Sequence, residues 1–224
     1  MLYVLYGFVF GLFIPGIARR FAKFMPATFA GAISQMIVLS KPYKKSPHFP
    51  FYRRLQQQFY NRSLLSAVIT AAVTYCALTH FGFHGIWFKI IYLWFLLLLA
   101  EIDYRMYLLP DILTIPLLLT GLLASVFDMG FIPIQESVMA AFIGYFLPVV
   151  VSLLFVWKHK DAFGGGDVKL LCALGAWLGV GALLAVIVVS AVLFIVYALC
   201  RHRRTDAYGP AIALGGIIIA FCYF

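Results

Sequence analysis

The chain has 224 residues, 64% of them hydrophobic and only 11% charged, a balance that excludes an ordinary soluble domain with a hydrated surface. Seventeen Lys and Arg stand against eight Asp and Glu, a formal net charge of +9, and in so apolar a chain that excess reads as a topology signal rather than a nucleic-acid footprint. The expected fold class is therefore an all-α polytopic membrane protein. Four cysteines, Cys76, Cys172, Cys200 and Cys222, lie in or beside apolar runs without any Cys-x-x-Cys spacing, so neither a disulfide framework nor a metal site is supported.

The first element is an apolar run from Leu2 to Ala18, with no positive charge before it and Arg19, Arg20 and Lys23 after it. That order reverses the pattern of a cleavable signal peptide, and the expectation is a retained first span with its N-terminus outside. Residues 19–62 follow, with nine basic residues, no acidic ones, and Pro26, Pro42, Pro47 and Pro50. This stretch reads as a basic first cytoplasmic loop that can face anionic lipid headgroups. The chain then divides into residues 1–63, the first transmembrane helix with its basic segment, and 64–224, a helical membrane core.

Further apolar runs extend roughly from Leu64 to Phe81, Ile86 to Ala100, Ile112 to Phe127, Val138 to Trp157, Leu170 to Trp177, Ala182 to Cys200 and Tyr208 to Phe224. A span needs about 20 apolar residues, so the run at Leu170 is short unless its helix extends beyond it. Positive charge decides the count, because Lys and Arg concentrate in cytoplasmic loops. With about eight transmembrane helices, the inward-facing segments are 19–62, 101–111, 158–169 and 201–207. These hold 16 of the 17 Lys and Arg, Lys89 being the exception. One uninterrupted helix over 170–200 would send Arg201, Arg203 and Arg204 outside. The stretch Trp177–Gly181 is therefore expected to be a tight outer turn, with Gly179 and Gly181 permitting unusual backbone angles.

Six of the eight acids, Glu101, Asp103, Asp111, Asp161, Asp167 and Asp206, fall in inward-facing segments. Asp103 sits just beyond the run that ends at Ala100, and Asp167 just before the run that starts at Leu170. Two spans separate them, so the chain returns to the same leaflet and both carboxylates share one membrane depth. Paired acids suit peptide hydrolysis, one activating water while the other, protonated, polarises the carbonyl. Close carboxylates in a low-dielectric setting cannot both ionise cheaply, so they share a proton. The plain alternative is two interfacial acids facing headgroups. The glycines of Phe163-Gly164-Gly165-Gly166-Asp167 would let a substrate backbone approach, or would simply form a turn with Asp167 as a helix cap. Pro110 argues against a continuous helix through Leu109, and Asp111 then resembles the cap of the next span.

Three stretches resemble the type IV prepilin peptidase family, the Gly-x-Gly-Asp intramembrane aspartyl proteases. They are Asp103 with Leu109-Pro110-Asp111 and the run to Leu117, Gly164-Gly165-Gly166-Asp167-Val168-Lys169 continuing to Gly179, and Tyr208-Gly209-Pro210 continuing to Gly216. The resemblance is closest from about residue 100 onward. It implies a multi-pass peptidase of the bacterial inner membrane that faces the cytoplasm and removes the leader of prepilins or type II secretion pseudopilins. It makes Asp103 and Asp167 the catalytic acids, supported by Pro110, Asp111, Gly164, Gly166 and Lys169. Many members carry zinc-binding Cys-x-x-Cys pairs in the first cytoplasmic segment, whereas residues 19–62 here contain no cysteine. No cofactor is implied for proteolysis, and S-adenosylmethionine would serve any retained N-methylation. The expected partners are prepilin or pseudopilin helices and membrane lipids, with no nucleic acid. The rival class is an ion-coupled transporter using intramembrane acids. Against it, spans four to eight carry no charge at mid-membrane.

Overall fold

In the computed structural model, the structure describes residues 1–23, 49–156, 164–201 and 207–224. Seven helices form, and no strand occurs among the described residues: α1 (Leu2–Lys23), α2 (Phe49–His80), α3 (Ile86–Met106), α4 (Asp111–Val126), α5 (Ile134–Val156), α6 (Gly165–Arg201) and α7 (Gly209–Tyr223). Most of the basic segment expected over 19–62 lies outside the described residues, as do Asp161, Phe163 and Asp206. Four helical stretches are long and apolar enough to cross a membrane, namely Leu2–Phe21, Tyr60–His80, Ile134–Leu153 and Gly165–Cys200, and Asp111–Val126 and Gly209–Tyr223 are shorter apolar helices. These lengths and compositions are those of a multi-pass membrane protein.

The chain forms two compact units, Met1–Tyr75 and Cys76–Phe224. In the first, α1 meets α2 through small and hydroxylated residues, with Ser66 Oγ donating to the Gly11 carbonyl at 2.7 Å. Thr70 and Thr74 turn their hydroxyls back onto the carbonyls four residues earlier, at 2.8 and 2.7 Å, which satisfies those donors where water is scarce.

In the second unit, α6 packs against α4, α5 and α7, and α7 packs in turn against α3. Tyr92 of α3 and Trp177 of α6 are fully buried with ring centroids 5.0 Å apart. Both polar tips find partners, since Trp177 Nε1 donates to the Leu117 carbonyl at 2.8 Å and the Tyr92 hydroxyl to the Gly216 carbonyl at 3.1 Å. Each bond leaves no buried donor unmatched. Beside this cluster α5 and α6 touch backbone to backbone. A Cβ on Gly144 would stand 2.5 Å from the Leu171 carbonyl oxygen, and one on Gly175 would stand 2.7 Å from the Ala140 carbonyl carbon. Helices in lipid associate through such small-residue seams, because no hydrophobic drive separates them from the surrounding tails.

The 37 residues of α6 would measure about 55 Å as a straight rod. Instead the helix breaks at Gly179, at φ 81 and ψ 173, inside the stretch expected from the sequence to turn. The break is a reversal. Asp167 shares a cavity with Tyr208, and the Tyr208 hydroxyl lies 2.8 Å from Ser190 Oγ. A straight helix would hold residues 167 and 190 about 35 Å apart, so the two halves of α6 must double back for both to reach one tyrosine. The first half also starts at Gly165 rather than at the apolar run, which gives the short sixth segment its extra length.

Candidate active site

The last turn of α3 sorts its charges by face. Glu101 and Arg105, one turn apart, pair with each other, with Arg105 Nε 2.7 Å from Glu101 Oε1. Asp103 points the other way, beside fully buried Ile102, and is 4% exposed. The helix stops because Tyr107 adopts a left-handed conformation at φ 54 and donates its amide to the Asp103 carbonyl at 2.8 Å. Pro110, extended at φ −72 and ψ 132, then opens α4. Burial disfavours a charge on Asp103, and a hydrogen bond from the Gly209 amide to its Oδ2 at 2.9 Å partly offsets that penalty.

Asp167 lies in the first turn of α6. Gly164 precedes the helix, its carbonyl accepts the Asp167 amide at 3.0 Å, and its own amide donates to the Asp167 carboxylate. Asp167 is thus the third residue of the helix rather than its cap, and its carboxylate reaching back to the Gly164 amide makes half of a capping box, the only half open to a glycine. Gly166 faces Leu109, and a Cβ there would lie 2.9 Å from that of Leu109. The loop before α4 and the start of α6 are thus in contact.

Asp103 and Asp167 line one cavity of about 510 Å³, together with Tyr107, Asp111, Lys169 and Tyr208 among others. Burial and, after it, the nearness of Asp103 both disfavour a charge on Asp167. The cavity therefore offers two carboxylates, each held by one amide, with open space between helix ends. That is the equipment for proton transfer in both directions on a bound polar group. Among the described residues, no cluster of three His, Cys, Asp or Glu is placed to hold a metal ion.

Asp111 departs from its expected role. Pro110 occupies the capping position, and Asp111 is the first residue within α4. Its carboxylate lies 2.6 and 2.7 Å from Lys169 Nζ, which draws it across to α6 instead of back onto its own helix end. The acid still sits well in the first turn of a helix. Both partners are about half exposed, at 43% for Lys169 and 55% for Asp111, so the pair is expected to contribute little, roughly 0–1 kcal/mol. Lys169→Ala is accordingly expected to leave thermal stability nearly unchanged, within about 1 kcal/mol, as read from a melting curve.

Sequence reasoning did not single out Gly209, Tyr208 or Tyr107 as site residues. Gly-Pro after Tyr208 does mark a helix start, but nothing local tells which side chain that start will meet.

Residues 90–199, which include both acids, match the type IV leader peptidase family. A prepilin leader peptidase/N-methyltransferase of Escherichia coli (strain K12) is 33% identical over 224 residues, covering 97% of this chain and 93% of that protein. Proteins of the same name from Neisseria gonorrhoeae and Dichelobacter nodosus are 40% identical over 129 residues and 36% identical over 162 residues. The alignments cover 56% and 69% of this chain but only 45% and 56% of those two relatives, so the chain spans about half their length. No solved structure matches the chain.

Proposed function

Because the chain belongs to the type IV leader peptidase family, we propose that it is a prepilin leader peptidase, an aspartyl endopeptidase of the bacterial inner membrane with Asp103 and Asp167 as its catalytic pair. One observation carries the reading: the two acids line a single cavity although 64 positions apart in the chain. One carboxylate, ionised, takes a proton from a water poised against the scissile carbonyl. The other, protonated, donates a hydrogen bond to the carbonyl oxygen as the tetrahedral intermediate forms. Collapse of that intermediate expels the amine, which receives a proton from the pair, and the single shared proton is restored. Burial and mutual repulsion favour that one-proton state over two charges.

The topology proposed with it has eight spans, the N-terminus outside and the active site facing the cytoplasm. The reversal at Gly179 supports it, since the two halves of α6 then count as two spans. So does the placement of 16 of 17 Lys and Arg in the inward-facing segments that this count creates. Residues 1–63 form a first span with a basic segment, and 64–224 form the catalytic core. The substrate class is the leader junction of a prepilin or of a type II secretion pseudopilin, presented within the bilayer. S-adenosylmethionine would be the methyl donor if the chain also carries the second activity in its relatives' name.

Membranes containing the protein are expected to shorten a full-length prepilin, with N-terminal sequencing placing the new terminus at the leader junction. A prepilin that keeps its leader after prolonged incubation with abundant, folded protein would overturn the reading.

A further inference from the structure

α7 opens on Tyr208-Gly209-Pro210, and the amides of its first turn are nearly all spoken for. Pro210 has no N–H, while Ala211 and Ile212 donate to the Tyr208 carbonyl at 3.0 and 3.1 Å. The remaining donor, the Gly209 N–H, bonds Asp103 Oδ2 at 2.9 Å in a buried setting. A side chain there would meet the carboxylate itself. A Cβ on Gly209 would stand 2.5 Å from Asp103 Oδ2 and 2.8 Å from its Cγ, too close for the carboxylate to stay where it is. The turn is braced from the far half of α6, with the Tyr208 hydroxyl 2.8 Å from Ser190 Oγ and the Phe194 ring edge-on to Tyr208 at 5.2 Å.

We propose that Gly209 is a positioning residue for Asp103: its amide holds Oδ2 at the N-terminus of α7, and its missing side chain lets the carboxylate lie against that turn, leaving Oδ1 for the shared cavity. A carboxyl torsion is intrinsically soft, so one fixed oxygen sets the plane of the whole group. The donor also favours the charged form, being both a hydrogen bond and the positive end of a helix. This role rests on Asp103 being half of a catalytic pair. It gives the C-terminal helix a part in the chemistry without touching substrate.

The test compares membranes carrying the wild-type chain, Asp103→Asn, Gly209→Ala and Ile218→Ala, all acting on the same full-length prepilin across a pH series. Gly209→Ala is expected to lower kcat about 100-fold, the scale of a roughly 1 Å misplacement of a reacting group, with KM within about threefold of wild type. Its pH profile is expected to move to higher pH, because a carboxylate deprived of its donor keeps its proton to higher pH. Ile218→Ala, at a half-exposed position farther along α7, keeps the wild-type rate and profile. Wild-type kcat in Gly209→Ala, or a loss with an unmoved profile and a raised KM, would overturn the positioning role.

If Gly209→Ala does not accumulate, Tyr208→Phe decides. It removes the hydroxyl that meets Ser190 and is expected to lower kcat several-fold with a shift in the same direction. Unchanged kcat and profile in that variant would overturn the proposal. A wild-type chain that cleaves nothing, or an Asp103→Asn chain that still cleaves, sinks the peptidase reading itself, whereas a dead Asp103→Asn beside a fully active Gly209→Ala sinks only the role of Gly209.

Discussion

Replacing either Asp103 or Asp167 with asparagine is expected to lower prepilin cleavage by at least about 1,000-fold, within the range of a lost general acid or base, while leaving the amount of folded protein unchanged. Asparagine keeps the size and an acceptor oxygen of each side chain, so the amides of Gly209 and Gly164 retain a partner. What it removes is the exchangeable proton. Stability should hold for a further reason: Asp103 is 4% exposed, and a neutral amide is easier to bury than a carboxylate. The same shared proton predicts a bell-shaped pH profile for the wild-type chain. At low pH the ionised member gains a proton and cannot activate water, and at high pH the protonated member loses its own and cannot polarise the carbonyl. Both limbs belong to the pair rather than to one residue. A time course of substrate shortening, with protein levels measured in parallel, checks the result, and full-rate cleavage by either asparagine variant would remove that residue from the chemistry.

Gly175→Leu is the second substitution with a large expected effect, and it acts on the scaffold. Gly175 meets the backbone of Ala140 with no side chain between, and Gly144 meets Leu171 in the same way one turn along. Each obstacle is backbone, which cannot rotate aside as a flexible side chain would. A leucine must push α5 and α6 apart, and it would also strain the Ser137 hydroxyl bond to the Ala176 carbonyl, 2.6 Å long. Overpacking of this kind is expected to destabilise by about 3 kcal/mol or more, which corresponds to a fall in melting temperature of about 10 °C for a chain of this size. The first half of α6 carries Asp167, so cleavage should fall along with stability. Gly181→Ala supplies the contrast, since a Cβ there meets nothing within 4 Å. Equal melting temperatures for Gly175→Leu and wild type in detergent would contradict the proposed seam.

Much of the candidate site, the two acids that line one cavity, was legible because the signals that place it are local or additive. Asp103 and Asp167 each interrupt apolar sequence, and parity of spans between them is enough to predict a common depth. Gly179 lies in a short glycine-rich stretch that the charge count already required to turn, and the backbone breaks there. The contacts that hold the acids were not legible. Gly209 reaches Asp103 across 106 positions and Lys169 reaches Asp111 across 58, and no periodicity encodes pairings that depend on how helices pack. Asp111 shows the same limit from the other side. An acid after proline at a helix start resembles a cap, yet the lysine that α6 delivers determines where its carboxylate goes. Packing faces were hidden too, because helices apolar on every side carry little amphipathic signal. Trp177 could not be recognised from sequence as the buried centre of its unit, since exposed and buried neighbours alike are apolar.

The central claim is that the two aspartates converge, and bridging them chemically tests it without any substrate. In a chain whose Cys76, Cys172, Cys200 and Cys222 have been replaced by serine, Asp103→Cys and Asp167→Cys are combined, and native membranes are treated with a short bifunctional thiol reagent. Efficient bridging within one chain, absent from either single variant, is the expected result. Thiols at 103 and 167 that resist bridging and label from opposite sides of the membrane would contradict it.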